Sequence, residues 1–441
     1  MKPIAYFLLI QPKKSTFPIA LFLLTCLLFA KEARCSNDSL DVIKYTVWLQ
    51  PDINDGSIEG SSMIDFHLDP QVTEVIFDCG ALTIKKVTGK IKGYEQKGQK
   101  LFIYLPERAT VQNQVSIFYE GSPKKGLLFD AAAQQMYTVF HTSEWMVCRD
   151  EVADKALIDL GIVIPDSLQA VASGELFMKA PYKEGLDSYL WVQSYATSPY
   201  TYGFAIGNFQ TLSRSYKTTQ LNYLSPQYGL DLDLIFWETP KIMAFLEEIS
   251  GVAYYQSTYT QVLMGAHYQE MAGMVVLKGS YGKHIIDNET EINLITHELA
   301  HQWWGNRITC QSWNHFWLNE AFATFLSAAY NEQAFGKEKY LEDIEVYRQI
   351  YLKVRDKGKD KPLVFESWHN PTRDDRDIVY FKGAYVLHLL RETLGEAHFW
   401  EGLKAYSQKY FDKFVVTKNF QEEMERVSGK DLQSFFDRWV Y

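Results

Sequence analysis

A histidine pair four residues apart with an acid between them, His297-Glu298-Leu299-Ala300-His301, is followed after an eighteen-residue gap by Glu320 within Trp317-Leu318-Asn319-Glu320-Ala321-Phe322. This spacing constrains the fold more than any other feature of the chain. Residues i and i+4 share one face of a helix, so the two imidazoles meet only if the pentapeptide is helical. The flanks predict a helix over Asp287 to Trp304, with Asn288 as N-cap, Glu291 three residues on and Gly305 as the stop. A second helix is expected over 318 to 334, ended by Gly336. His297, His301 and Glu320 then supply three ligands for one zinc ion, and a fourth position stays open as a catalytic zinc requires. Glu298 lies beside them as a general base. Metal-assisted hydrolysis of an amide is the chemistry this set suits. A metzincin site is excluded, because its third histidine would fall at Arg307.

The surrounding chain is long enough for two to three domains, with 441 residues and 47% hydrophobic content. Short alternating runs such as Ile43-Lys44-Tyr45-Thr46-Val47-Trp48-Leu49 fill Asp41 to Gly207, separated by turn-formers such as Asn54-Asp55-Gly56. They predict an antiparallel β-sandwich or saddle. Helical periodicity begins at Trp237 and runs to Ile249, which places a domain boundary near 210. A strand is expected at Tyr259 to Met264, a solvated connector from Asp356 to Asp377, and a mostly helical tail from Tyr380 to Tyr441. The fold class is therefore α+β: a β-rich domain over 36–210, then a thermolysin-like, mainly helical catalytic domain over 211–441.

Residues 1–35 hold five basic side chains against one acid, around an apolar run from Phe17 to Phe29 that ends in small residues. That is the anatomy of a secretory signal peptide, and export follows from it. An uncleaved segment would instead tether the protein to a membrane. The net charge of −10 becomes about −14 without this segment, which argues against a nucleic-acid partner. Cys79, Cys148 and Cys310 are widely spaced in the body, form no metal cluster, and read as small buried apolar residues. Nothing in the pattern fixes the oligomeric state.

Several blocks resemble the gluzincin zinc metallo-aminopeptidases, the family of aminopeptidase N and leukotriene hydrolase. They are Trp145-Met146-Val147-Cys148-Arg149-Asp150, Thr296-His297-Glu298-Leu299-Ala300-His301-Gln302-Trp303-Trp304-Gly305-Asn306 and Val379-Tyr380-Phe381-Lys382-Gly383-Ala384. The resemblance implies that Tyr380 hydrogen-bonds the oxyanion. It also implies that Glu270 grips the α-amine of a peptide substrate. Two departures stand out. The stretch His267-Tyr268-Gln269-Glu270-Met271-Ala272-Gly273-Met274 keeps the glutamate but lacks the family's glycine and asparagine, and His267 adds bulk there. Thr138 occupies the place of a second amine anchor, where a threonine cannot neutralise an ammonium. The chain also stops where the family's catalytic domain stops, so a short form without the C-terminal helical domain is expected. The reading is a zinc aminopeptidase. A peptidase for internal or modified positions and a non-catalytic docking protein are the alternatives.

Overall fold

The hairpin Asn54-Asp55-Gly56 shows how the β-rich part is assembled. Asp52 and Asp55 accept the N–H groups of Asn54 and Ser57 at 2.9 and 2.8 Å, and Gly56 takes the left-handed φ of +70° that the turn demands. The turn joins Leu40–Asp52 to Ser57–Leu68, whose alternate residues, Tyr45, Val47, Leu49, Ile64 and Phe66 among them, point into one core. In this computed structural model, which describes residues 40–69, 71–106, 111–366, 368 and 371–441, these strands lie inside a seven-stranded sheet. Leu40–Asp52 pairs in parallel with Ala156–Pro165, and the other pairs are antiparallel. A four-stranded and a three-stranded sheet complete the β-rich region around Phe66, Phe77, Trp145 and Phe204.

Gln210 opens a further sheet of five strands in the spatial order Gln210–Tyr216, Thr219–Ser225, Thr258–Leu263, Met274–Leu277 and Gln269–Met271. Helices cover it, and a second core gathers Leu299, Trp303, Trp304, Trp317, Phe322, Phe325, Tyr406 and Phe420. The helix Trp317–Phe335 is buried continuously from Trp317 to Asn331, as expected of an element apolar on all sides and placed at the centre. Both cores belong to one compact unit.

Helix Thr239–Ser250 and strand Thr258–Leu263 lie within one or two residues of the expected bounds. The metal-site helix is a correction. It spans Asn293–Ala300 alone, and a separate helix Tyr281–Asp287 precedes it. Asn288 does not cap it. The Asn288 side chain instead accepts the N–H and hydroxyl of Thr290 at 3.2 and 2.9 Å, which closes a local turn. The expected connector Asp356 to Asp377 also contains a short helix, Arg373–Asp377, started by a reciprocal Thr372–Asp375 capping box. Among the described residues the cysteines Cys79, Cys148 and Cys310 are free and buried, and no helix is long and apolar enough to cross a membrane. The signal-peptide reading, and the export and membrane tether that rest on it, lie outside the described residues.

Candidate active site

His297 and Glu298 sit in the last turn of Asn293–Ala300, and His301 follows its end. Glu320 lies in the first turn of Trp317–Phe335, where the helix dipole favours an anion. The two helices are tied along their length: Ser327 donates to the carbonyl of Asn293 at 3.0 Å, and the Asn331 amide bonds the Asn293 side chain.

The ligand atoms form a nearly regular triangle. Nε2 of His297 and Nε2 of His301 are 3.0 Å apart, and Oε2 of Glu320 stands 3.3 and 3.4 Å from them. A tetrahedral zinc ion with bonds of about 2.0–2.1 Å separates its ligands by about 3.3 Å. The three side chains therefore fit zinc without rearrangement. Their backing fits as well. Nδ1 of His301 lies 3.0 Å from the carbonyl of Trp304, which fixes that nitrogen as the donor and leaves Nε2 free to ligate. The Thr324 hydroxyl donates to the Glu320 carbonyl at 2.7 Å and lies 3.4 Å from Nδ1 of His297.

Three buried acids converge here from three different elements. Burial raises Glu320, but His301 and the hydrogen bonds of both histidines outweigh it and hold the carboxyl at about 2. Burial would lower His301, yet Glu320, Glu270 and Glu298 together hold it up at about 10. Glu298 is pushed well above the usual carboxylate range by burial and by Glu270 and Glu320, against the pull of His301. Glu270, at 4% exposure, is raised to about 7 by burial and by Glu320, with His301 opposing. Glu270 Oε1 and Glu298 Oε2 are buried without a hydrogen-bond partner among the described residues.

Tyr380 lies in a π-helical turn, Ile378–Lys382, of the kind that often marks functional sites. Its ring stacks on the His297 imidazole, with centroids 5.8 Å apart and planes 8° apart. The structure thus gathers His297, Glu298, His301, Glu320, Tyr380 and Glu270 into one site.

Thr138 supplies no charge there and spends its hydroxyl on backbone. The Thr138 hydroxyl accepts the Phe204 N–H at 2.9 Å and donates to the Phe204 carbonyl at 3.4 Å, and the residue is buried. His267 is turned aside, with Nδ1 3.1 Å from the Tyr137 hydroxyl, so its bulk meets Tyr137. Arg307 is held away from the metal side chains, its guanidinium boxed by Tyr195, Tyr255 and Phe411 and paired with Asp412.

Three further contributors have no role assigned by the sequence pattern. The Tyr200 phenol accepts from the Asn319 amide at 3.2 Å, beside Glu320. Gln302 accepts from Gly273 N–H and donates to the Met271 carbonyl, each at 2.9 Å, which fastens the metal-site helix to the strand of Glu270. Gln269, next to Glu270, is the third.

The fold and the ligand triangle define a zinc metallopeptidase. Residues 236–439 match the model of the peptidase family M1 domain. Mouse aminopeptidase N is 25% identical over 357 residues, which cover 73% of this chain and 36% of that protein. Aminopeptidase N of Lactococcus lactis is 34% identical over 155 residues, 33% of this chain and 18% of the bacterial protein. The chain thus spans well under half the length of these curated relatives. Among solved structures, an M1 zinc metallopeptidase from Deinococcus radiodurans superposes with a TM-score of 0.77 at 21% identity, over 91% of this chain and 93% of that one. An E323A mutant of it, bound to a Tyr-Ser-Ala substrate, aligns equally well, with 94% of that chain covered.

Proposed function

We propose that this zinc peptidase is an aminopeptidase, removing the first residue from peptides that carry a free α-amine and using one zinc ion held by His297, His301 and Glu320. The observation that carries the reading is Glu270: a buried carboxylate in electrostatic contact with His301 and Glu320, with an oxygen that has no hydrogen-bond partner among the described residues. A substrate ammonium would satisfy it and be fixed one residue from the scissile bond. The peptide and tripeptide relatives named above support the same substrate class.

A zinc ion held by His297, His301 and Glu320 would supply positive charge that polarises the scissile carbonyl, acidifies water and favours the ionised form of the Glu298 carboxyl. Glu298 then takes a proton from the attacking water and returns it to the leaving amine. Tyr380, raised well above the ordinary phenol range by burial and by the nearby acids, keeps its proton and donates a hydrogen bond to the carbonyl oxygen as charge develops. Glu270 orients the substrate through its ammonium.

The Thr138 hydroxyl, neutral and already bonded to the Phe204 backbone, favours a second reading, a peptidase indifferent to the amine. An aminoacyl fluorogenic amide compared with its N-acetylated twin separates the two. Selective turnover of the free-amine substrate, lost on chelation and in Glu298→Gln, is the expected result; equal turnover of both substrates would remove the aminopeptidase reading.

A further inference from the structure

Glu270 sits on the weakest part of its sheet. Its strand, Gln269–Met271, is three residues long and pairs on one side only, with Met274–Leu277. A ladder this short cannot fix a side chain to a fraction of an ångström.

The far end of the strand is clamped by the metal-site helix and its following turn. Gln302 holds Met271 and Gly273, and Asn306 donates to the Met271 carbonyl at 3.3 Å. The near end follows an exposed loop, residues 265–268. The Tyr137 hydroxyl steadies that loop, accepting the Ala266 N–H at 3.1 Å and lying 3.1 Å from Nδ1 of His267, and one buried side chain ties the first residue of the strand itself. Gln269, 1% exposed, accepts the Phe140 N–H on Oε1 at 2.6 Å and donates from Nε2 to the carbonyls of Tyr200 and Glu270, each at 3.0 Å.

Each partner leads somewhere specific. Phe140 and its neighbour His141 both have φ of +47°, a left-handed conformation that non-glycine residues keep only when their surroundings hold it. Tyr200 leads to the metal, since its phenol accepts from Asn319, the residue before Glu320. The third partner is the carbonyl of Glu270 itself.

We propose that Gln269 is the positioning residue for amine recognition: by joining the strained Phe140–His141 segment, the Tyr200 turn and the Glu270 backbone, it fixes where the Glu270 carboxylate stands relative to the metal ligands. The inference rests on Glu270 as the amine anchor and adds what holds that anchor in register. A displacement of about 1 Å in such a group weakens recognition severely.

Two zinc-directed inhibitors isolate the effect. Leucine hydroxamate and isocaproic hydroxamate differ only in the α-amine, so the ratio of their inhibition constants reports amine recognition apart from metal binding. For the wild type the amine should tighten binding, and Glu270→Gln should abolish the difference. Gln269→Met should reduce the ratio about tenfold while leaving isocaproic hydroxamate binding and zinc content close to wild type, with a melting transition lowered by the lost hydrogen bonds but still cooperative. If Gln269→Met does not fold, Gln269→Asn, too short to bridge the three partners, carries the same expectation. A wild-type ratio in the folded variant overturns the proposal. No ratio in the wild type, with none lost in Glu270→Gln, overturns instead the amine-anchor reading and the proposal with it.

Discussion

Replacing Gly383 by alanine tests whether the spacing of two helices sets the metal triangle. Gly383 opens the helix Gly383–Leu394 directly after the turn that carries Tyr380, and it faces Ala321, the neighbour of Glu320. Its φ and ψ of −59° and −49° are ordinary helical values, so the backbone itself admits alanine. Space does not. An added Cβ would stand 2.5 Å from the Cβ of Ala321. Carbon atoms rest about 3.5–4.0 Å apart, so the helices must part by about 1 Å. Overpacking of this kind costs about 1–3 kcal/mol, offset by about 1 kcal/mol of helix propensity gained, leaving a net loss of about 1 kcal/mol. Ala321→Gly removes the colliding methyl and costs about 1 kcal/mol through propensity alone. In the double variant the propensity effects cancel and the collision is gone, so stability should return close to wild type. The coupling energy of the cycle is then about 2 kcal/mol, measured by urea unfolding of the four proteins. Zinc affinity, read by competition with a chromogenic chelator, should fall in Gly383→Ala and recover in the double variant, because the shift passes through the residue next to a ligand. Additive losses with no recovery would refute the close-contact argument.

Three further outcomes follow from other parts of the molecule. The Lys155 ammonium donates to the Arg307 carbonyl at 2.7 Å over the Phe414 ring, and burial plus the Arg307 charge push it down to about 7, against Asp412 and Cys310. An unfolded lysine holds its proton to about pH 10.4, so the folded state binds fewer protons between about 7 and 10 and stability rises with pH across that window. Lys155→Met should flatten this slope in urea titrations at successive pH values; equal slopes would show that Lys155 is not the group responsible. Thr324→Val removes the oxygen facing Nδ1 of His297 and should weaken zinc binding about tenfold or more by competition titration, with the protein still folded. Cys79, Cys148 and Cys310 are each fully buried with thiols pushed up by burial, so a thiol reagent should spare them in the native protein and modify all three in denaturant.

How far the sequence reaches depends on the distance over which each feature is determined. The histidine pair is readable because four residues of helix settle its geometry. Glu320 and Tyr380 lie 19 and 79 positions beyond His301; the first is readable as an acid in the next expected helix, and only resemblance to a family picks out the second. The start of the metal-site helix is misread because Asn288 and Glu291 have the residue types of a capping pair, while Asn288 binds Thr290 and the helix begins at Asn293. What Thr138 binds is hidden for a non-local reason: its hydroxyl is engaged by Phe204, 66 residues away. Gln269 and Tyr200 leave no periodic or compositional trace, since their partners are backbone groups and one amide brought together by the fold.

The same non-locality gives the site its division of labour. Buried carboxylates close together repel one another and are costly to desolvate. Here the three acids stand on separate elements: Glu298 on the metal-site helix, Glu320 on the next, Glu270 on the edge strand. Each element has its own restraint: the Trp304 carbonyl behind His301, Thr324 behind His297 and Glu320, and Gln302 and Gln269 at the two ends of the strand. Loosening one restraint should therefore disturb one function. A change at the Gly383–Ala321 contact acts through Glu320 and reads out as metal affinity, whereas a change at Gln269 acts through Glu270 and reads out as amine selectivity at unchanged metal content. If both changes altered both readouts equally, the acids would be coupled as one rigid block, and independent positioning by separate elements would be the wrong account of this site.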